Sequence, residues 1–284
     1  MFRQNTPFDL EIGRCYHNKV VKKCRKVGIA MIDIHSHILP GIDDGAKTVE
    51  DSIDMAKLAV QEGIRTIIAT PHHKNGKYLN SKDSIVPIVT ELNKRLLEEK
   101  ISLTVLPGQE TAINGEMIED YYKGELLPLN ETQYIFVELP SSHVPRYTNQ
   151  MLFDLQLKGL ITIIVHPERN QEIHERPEKL YQLIEKGSLA QLTAGSLCGK
   201  FGKKIKSFSE QLVEANLVHF IASDAHNVTS RAFHLVQAFD TIRSKYGRDY
   251  SEMYEENAEL LVEGLNVYKE MPEPIKRRKF LGIF

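Results

Sequence analysis

The chain has 284 residues, with 36 Lys and Arg against 38 Asp and Glu and a formal charge of −2. A 42% hydrophobic fraction with no biased tract can bury a large core, which excludes disordered and fibrous classes, and the near-neutral balance argues against a non-specific nucleic-acid binder. No apolar run approaches the ~20 residues that span a bilayer, and three cysteines, Cys15, Cys24 and Cys198, cannot all pair, so a soluble cytoplasmic protein without a disulfide framework is expected.

Residues 1–30 lie outside any periodic pattern and carry Arg3, Arg14, Lys19, Lys22, Lys23, Arg25 and Lys26 against Asp9 and Glu11, a local +5. They read as an atypical, disordered extension, or as sequence preceding a true start at Met31. From Met31 on, short β-branched runs closed by polar or turn residues predict seven strands: Met31–His35, Thr66–His72, Ser102–Glu110, Tyr134–Pro140, Ile161–Glu168, Leu189–Ala194 and Val218–His226. Helical period fills the gaps over Thr48–Gln61, Ser84–Lys100, Asn149–Lys158, Pro177–Lys186, Ser207–Asn216 and Arg231–Tyr246, with Thr48 as a cap and Gly63, Gly159 and Gly187 at helix exits. Nearly all-apolar strands alternating with helices predict a parallel α/β sheet or barrel. No linker divides it, so residues 31–274 form one expected domain, followed by the basic tail 275–284 (IKRRKFLGIF).

The predicted strands end in metal-ligand chemistry. The first gives His35 and His37, with Asp43 and Asp44 in the loop beyond; the second gives His72 and His73; later ones give Glu110, Glu138, His166, and Asp224 with His226. Strand ends converge on one mouth in β/α barrels, and residues i and i+2 of a strand share a face, so His35 and His37 can grip one ion. A buried ring of carboxylates and imidazoles is costly unless cations neutralise it. Nitrogen and oxygen donors without thiolates suit Mn²⁺, Zn²⁺ or Fe²⁺. His17, His143, His174, His219 and His234 fall off the pattern, and His73 yields the inward position to His72.

The segments MIDIHSHILPGIDDG (31–45), IIATPHHKNGK (67–77), PGQE (107–110), HPERN (166–170), LTAGSLCGKFGK (192–203) and SDAHN (223–227) resemble the bacterial manganese-dependent protein-tyrosine phosphatases of the polymerase and histidinol phosphatase superfamily. The resemblance runs from Met31 to the basic C-terminus. It implies a distorted seven-stranded barrel with three divalent ions, Mn²⁺ by preference with Fe²⁺, Zn²⁺, Co²⁺ or Mg²⁺ as alternatives. His35, His37, Glu110 and Asp224 would hold the first ion. Glu110 would bridge to a second held by Glu138 and His166, while Asp44, His72 and His226 would hold the third. It further implies hydrolysis of phosphotyrosine by a metal-activated hydroxide, on a membrane-associated bacterial tyrosine kinase of capsular or exopolysaccharide synthesis.

Three ions against Asp44, Glu110, Glu138 and Asp224 leave a positive mouth that suits a phosphate dianion. Arg169 can fork onto phosphate oxygens in a catalytic and substrate-binding role; Arg231 can do the same or solvate a helix start. Ser196, in the Gly-rich segment GSLCGK, reads either as a lining of the substrate cleft or as part of a purely conformational turn. That segment is one residue short of a P-loop, and Phe201 stands where a Ser or Thr would bind Mg²⁺. Cys198 has Lys204, not Arg, at the position a cysteine-dependent phosphatase needs, so it is expected to be a spectator. Competing readings are a small-molecule phosphoesterase of histidinol-phosphatase type, an amidohydrolase, disfavoured because Glu138 stands where a bridging lysine belongs, and a non-catalytic phosphotyrosine-binding regulator. The tail can rest on an anionic membrane or simply be solvated.

Overall fold

The structure, a computed structural model, describes residues 31–275. The expectations for residues 1–30 and for the cationic part of the tail lie outside the described residues. In chain order the elements are β1 (Met31–Ser36), α1 (Val49–Gln61), β2 (Ile64–Ala69), β3 (His72–His73), α2 (Lys82–Glu98), β4 (Thr104–Pro107), β5 (Glu110–Ala112), α3 (Met117–Lys123), β6 (Tyr134–Glu138) and α4 (Thr148–Gln156). Then follow β7 (Ile161–Val165), α5 (Gln171–Glu175), α6 (Glu178–Glu185), β8 (Leu189–Thr193), α7 (Ala194–Leu197), α8 (Lys203–Glu214), β9 (Phe220–Ala222), α9 (Leu235–Tyr246) and α10 (Arg248–Val262).

All pairings are parallel. One sheet runs β1-β2-β4 and the other β3-β5-β6-β7-β8-β9. Among the described residues there are nine short strands where the sequence predicts seven runs, because two runs are interrupted. Pro71, which has no N–H to give a ladder, separates β2 from β3. Gly108 and Gln109 separate β4 from β5, and a Cβ at Gly108 would lie 2.6 Å from Ile68 Cγ2, so the backbone passes too close for any side chain. The end of β1 meets the segment after β9: Asp224 N–H donates to His35 O (2.9 Å) and His37 N–H to Ala225 O (2.8 Å).

Alternation on the strands explains the two apolar clusters. Ile34, Ile68, Phe136, Ile163 and Phe220 belong to one, whereas Ile67, Val105, Ile135, Ile164 and Ile221 pack with the helices in the other. Both faces are therefore buried, and each fully buried Ile or Phe stabilises by roughly 1.5–3 kcal/mol. Phe136 supports what stands above it, with its ring centroid 4.9 Å from that of His35.

Helix signals held where capping chemistry was local. Thr48 Oγ1 accepts from Asp51 N–H while Asp51 accepts from Thr48 N–H, a reciprocal capping box, and Gly63, Gly159 and Gly187 have φ of 83°, 81° and 102°. The predicted helix Arg231–Tyr246 is shorter than expected. It begins at Leu235, whose N–H, with that of His234, donates to the Glu62 carboxylate from the end of α1 (3.0 and 3.3 Å). Helix α10 is not among the predicted ones; it buries Ser251, Tyr254, Asn257, Ala258 and Leu261 at helical spacing, against β1 and β9.

Candidate metal centre

The nine predicted ligand residues gather at the C-terminal ends of the strands. Around Glu110 Oε2 and Asp224 Oδ1, His35 Nε2 lies at 3.5 and 3.5 Å and His37 Nε2 at 3.3 and 3.3 Å. The two imidazole nitrogens face each other at 3.4 Å. His72 Nδ1 is 2.9 Å from Glu110 Oε2 and 3.5 Å from Glu138 Oε2, and His166 Nε2 is 2.7 Å from Glu110 Oε1. Asp44 Oδ1 lies 3.4 Å from both His72 Nε2 and His226 Nε2. Three groups of donor atoms fall mutually within 4.8 Å: His35, His37 and Asp224; His72, Glu110 and Glu138; and His37, Asp44, His72 and His226. His73, its neighbour's opposite on β3, is buried and belongs to none of them.

Backbone conformation aims two of these donors. His166 (φ 36°) and Asp224 (φ 53°) are left-handed, a conformation costly without glycine and characteristic of functional sites. Each turns the chain at a strand end, which lets Asp224 and His226 address different parts of the cluster.

Groups behind the donors fix the ring orientations. His35 Nδ1–H donates to Gln191 Oε1 (2.9 Å) and His37 Nδ1–H to Asp43 Oδ2 (2.7 Å), leaving each Nε2 directed at the centre. Asp43 Oδ2 also accepts from His72 N–H (3.2 Å) and Oδ1 from Gly45 N–H (2.9 Å). Asp33, fully buried below His35, accepts from Ser223 N–H (2.9 Å) and Ser223 Oγ–H (2.5 Å), tying β1 to the loop that carries Asp224. The roles of Gln191 and Asp33 are absent from the sequence reading, which saw Asp43 only as a loop acid. Asp33 shares alternation with His35 and is a polar residue inside an apolar run, a signal that was available; Gln191 carries the same signal in LAQLTA.

Arg169 Nη2–H donates to Asp224 Oδ2 (2.5 Å), and Arg231 Nη2–H to the same oxygen (3.0 Å). Both arginines line a cavity of about 330 Å³ together with His72, Glu138, Leu139, Ser141, His166 and Asn170. Ser196 does not reach it. Its side chain is fully buried and its hydroxyl donates to Glu168 Oε1 (2.7 Å), so it fastens the chain after β8 and does not line the cleft.

Electrostatics follow from this crowding. Burial raises the Asp224 carboxyl, but Arg169 and His35 outweigh it and hold the group well below the usual carboxylate range. Burial likewise opposes ionisation of Glu110, which His35 and His72 reverse. Burial lowers His72, yet Glu110 carries it up to about 10, whereas burial and the neighbouring His37 press His226 down to about 4. Burial pushes the Cys198 thiol up to about 11, the opposite of an activated nucleophile.

The donor set fits divalent cations. His72 Nδ1, Glu110 Oε2 and His226 Nε2 are buried and, although charged neighbours stand close by, make no well-aligned hydrogen bond, which is expensive for polar atoms unless a cation sits among them. Donor separations of 3.3–3.5 Å around His35, His37, Glu110 and Asp224 approximate the ~3.4 Å edge of a tetrahedron about an ion bound at ~2.1 Å.

The profile of the family described as "Capsular polysaccharide synthesis, CpsB/CapC" matches residues 31–263. The tyrosine-protein phosphatase YwqE of Bacillus subtilis (strain 168) is 55% identical over 254 residues, covering 89% of this chain and all of that protein. The putative tyrosine-protein phosphatase CapC of Staphylococcus aureus is 39% identical over the same length and coverage. A crystal structure from work on B. subtilis YwqE and Streptococcus pneumoniae CpsB, described as unique metal-dependent tyrosine phosphatases, superposes with a TM-score of 0.85 at 55% identity, over 87% of this chain and all of that one. A profile match over most of the chain, full-length relatives and a shared fold lead to one conclusion: the protein belongs to the CpsB/CapC capsular polysaccharide synthesis family.

Proposed function

We propose that this protein is a metal-dependent protein-tyrosine phosphatase. The observation that carries the reading is the convergence of eight imidazole and carboxylate side chains in three donor groups, joined by His166 through its 2.7 Å contact with Glu110 Oε1, with two arginines on Asp224, beside one cavity. Full-length similarity to tyrosine phosphatases supports it. On this reading the nine strands act as seven staves of a distorted barrel in the single domain 31–274, with β2 and β3 as one interrupted stave and β4 and β5 as another.

His35, His37, Glu110 and Asp224 would hold one ion, Glu110, Glu138 and His166 a second, and Asp44, His72 and His226 a third, with Mn²⁺ the preferred metal. Bound there, divalent cations supply a nucleophile at neutral pH by acidifying water and neutralise charge on phosphoryl oxygens. The chain's own residues do the rest. Arg169 and Arg231 share one carboxylate oxygen through their Nη2 groups, and Arg231 Nη1 lies 3.9 Å from Asp44 Oδ2, so the guanidinium edges turned to the cavity would bind the equatorial oxygens of a phosphate there. Asp43 and Gln191 keep the imidazole faces aimed inward. A phenolate is a competent leaving group, so no general acid is assigned.

The substrate by this reading is phosphotyrosine on a bacterial tyrosine kinase of polysaccharide synthesis, met in the cytoplasm; no helix among the described residues is long and apolar enough to cross a membrane. The test is chelator-stripped protein reloaded with Mn²⁺ and offered a phosphotyrosine peptide, p-nitrophenyl phosphate and histidinol phosphate. Metal-dependent turnover of the first two with little of the third is expected. Preference for histidinol phosphate would replace the reading with a small-molecule phosphoesterase, and inactivity on all three would leave a phosphotyrosine-binding regulator.

A further inference from the structure

The Gly-rich stretch after β8 is a sequence motif that the metal centre leaves unexplained. Helix α7 is followed by a tight turn in which Gly199 and Gly202 take φ of 79° and 95°, and Lys200 N–H donates to Gly195 O (2.9 Å). The turn delivers the Phe201 ring to the guanidinium of Arg169, with the Cζ atom 5.5 Å from the ring centroid. The ring rests on Gly195, where a Cβ would approach Phe201 Cε2 to 3.2 Å. From beneath, Glu168 fastens the same segment: its Oε1 accepts from Thr193 N–H (3.1 Å) and Ser196 Oγ–H (2.7 Å). Of two adjacent residues, Glu168 anchors the strap and Arg169 is covered by it.

We propose that Phe201 is a positioning residue for Arg169, its ring face fixing the plane of the guanidinium that meets the phosphate. This inference rests on the phosphatase reading above. Asp224 restrains one edge of the guanidinium, and Arg169 Nε is buried without a hydrogen-bond partner, so no acceptor restrains that side. A second carboxylate there would cancel the charge the phosphate needs. An aromatic face attracts a cation through its quadrupole while leaving the charge intact, within the ~6 Å range of such contacts. The aromatic residue in GSLCGKF thus has a reason that the P-loop comparison could not supply.

The experiment uses the Mn²⁺-loaded full chain and Phe201→Tyr, Phe201→Leu and Phe201→Ala, each also in an Arg169→Ala background. Two readouts are taken: kcat and KM on p-nitrophenyl phosphate, and the Kd of inorganic phosphate by calorimetry. F201Y is expected within about twofold of wild type, whereas F201L, which keeps an apolar side chain but not the quadrupole, loses about fivefold to tenfold in kcat/KM and in phosphate affinity. F201L melts within about 2 °C of wild type and causes no further loss when Arg169 is already absent. Wild-type behaviour of F201L, equal losses in F201L and F201Y, or full additivity with R169A would overturn the assignment. A wild-type enzyme that binds phosphate but turns over no phosphomonoester sinks the phosphatase reading while the calorimetric series still tests Phe201; failure to bind phosphate at all overturns both.

Discussion

The Asp43 carboxylate holds His37 through Nδ1 at 2.7 Å and at the same time accepts the backbone N–H groups of His72 and Gly45. One side chain therefore orients an imidazole of the centre and pins the two loops on either side of it. Asp43→Asn is expected to weaken metal affinity and activity by about tenfold to a hundredfold, as loss of such a supporting carboxylate typically does. Titration of stripped protein with Mn²⁺ measures the affinity, and an unchanged binding curve contradicts the role.

Gly45 makes that arrangement sterically possible. A Cβ there would lie 2.0 Å from His37 O and 2.5 Å from His37 Cβ, so even alanine must displace the strand end that carries His37. Gly45→Ala should destabilise the fold by on the order of 3 kcal/mol, as severe overpacking does, and should also impair metal binding. A melting temperature equal to wild type would refute this.

Asp33 gives stability a pH dependence of defined sign. Burial raises its carboxyl to about 6 against the usual 3.8, although Ser223 opposes the rise. The folded state therefore binds the proton more tightly than the unfolded chain. Its contribution is greatest below about pH 4, falls as pH rises towards 6, and is level above that. Ser223→Ala removes a hydroxyl donor from the ionised group and should cost about 2 kcal/mol at pH 8, with a smaller difference at pH 4.5, where Asp33 is neutral. Denaturant titrations of the two proteins at both pH values give the comparison; a gap that is constant or wider in acid is the contrary result.

Metal loading should be proton-linked in the opposite direction. Glu110 outweighs burial to lift His72 to about 10, so without metal this imidazole carries a proton at neutral pH that an ion must displace. Apparent Mn²⁺ affinity should rise about tenfold per pH unit between pH 6 and 8 for each proton released. Calorimetry in buffers of different ionisation enthalpy counts those protons, and zero release would be decisive against the linkage.

Cys198 is half-buried, which pushes its thiol up to about 11, and its sulfur faces His234 O at 3.8 Å. Cys198→Ala, and alkylation under native conditions with metals retained, should leave turnover within about twofold, since a thiol so rarely ionised is a poor nucleophile. A variant without activity but with full metal content would reinstate a cysteine mechanism.

The clustered side chains were legible because most stand at or just beyond a strand end, where the apolar period stops at a residue of ligand chemistry, with Asp44 in the loop after β1, and strand ends in a parallel array share one side. What the sequence hid depends on contacts across long separations. Gln191 reaches His35 over 156 residues and Asp33 reaches Ser223 over 190, and although Asp33 and Gln191 each stand out as a polar residue in an apolar run, nothing local names the partner. Of the two readings open for Ser196, the conformational one fits its buried hydroxyl, and the choice could not be made locally because its partner Glu168 lies on a different strand end. The interruptions at Pro71 and Gly108 were readable in principle, since one lacks a donor and the other a side chain, but apolar runs on both sides concealed them. Arg231 lies outside α9 because Glu62, distant in sequence, caps that helix at His234 and Leu235.

The closure between Asp33 and Ser223, 190 residues apart, also sets a timetable. A ribosome adding ~5–20 residues per second needs roughly ten to forty seconds to go from the strand that carries His35 and His37 to the loop that carries Asp224. Throughout that interval the two imidazoles exist without Asp224, and the pair alone is an indiscriminate binder of late first-row metals. Discrimination among ions would therefore be a property of the assembled donor set, not of the first strand. The first and last donors of the cluster come from opposite ends of the described fold, so any selectivity among ions would arise only once the segment that carries Asp224 has been made.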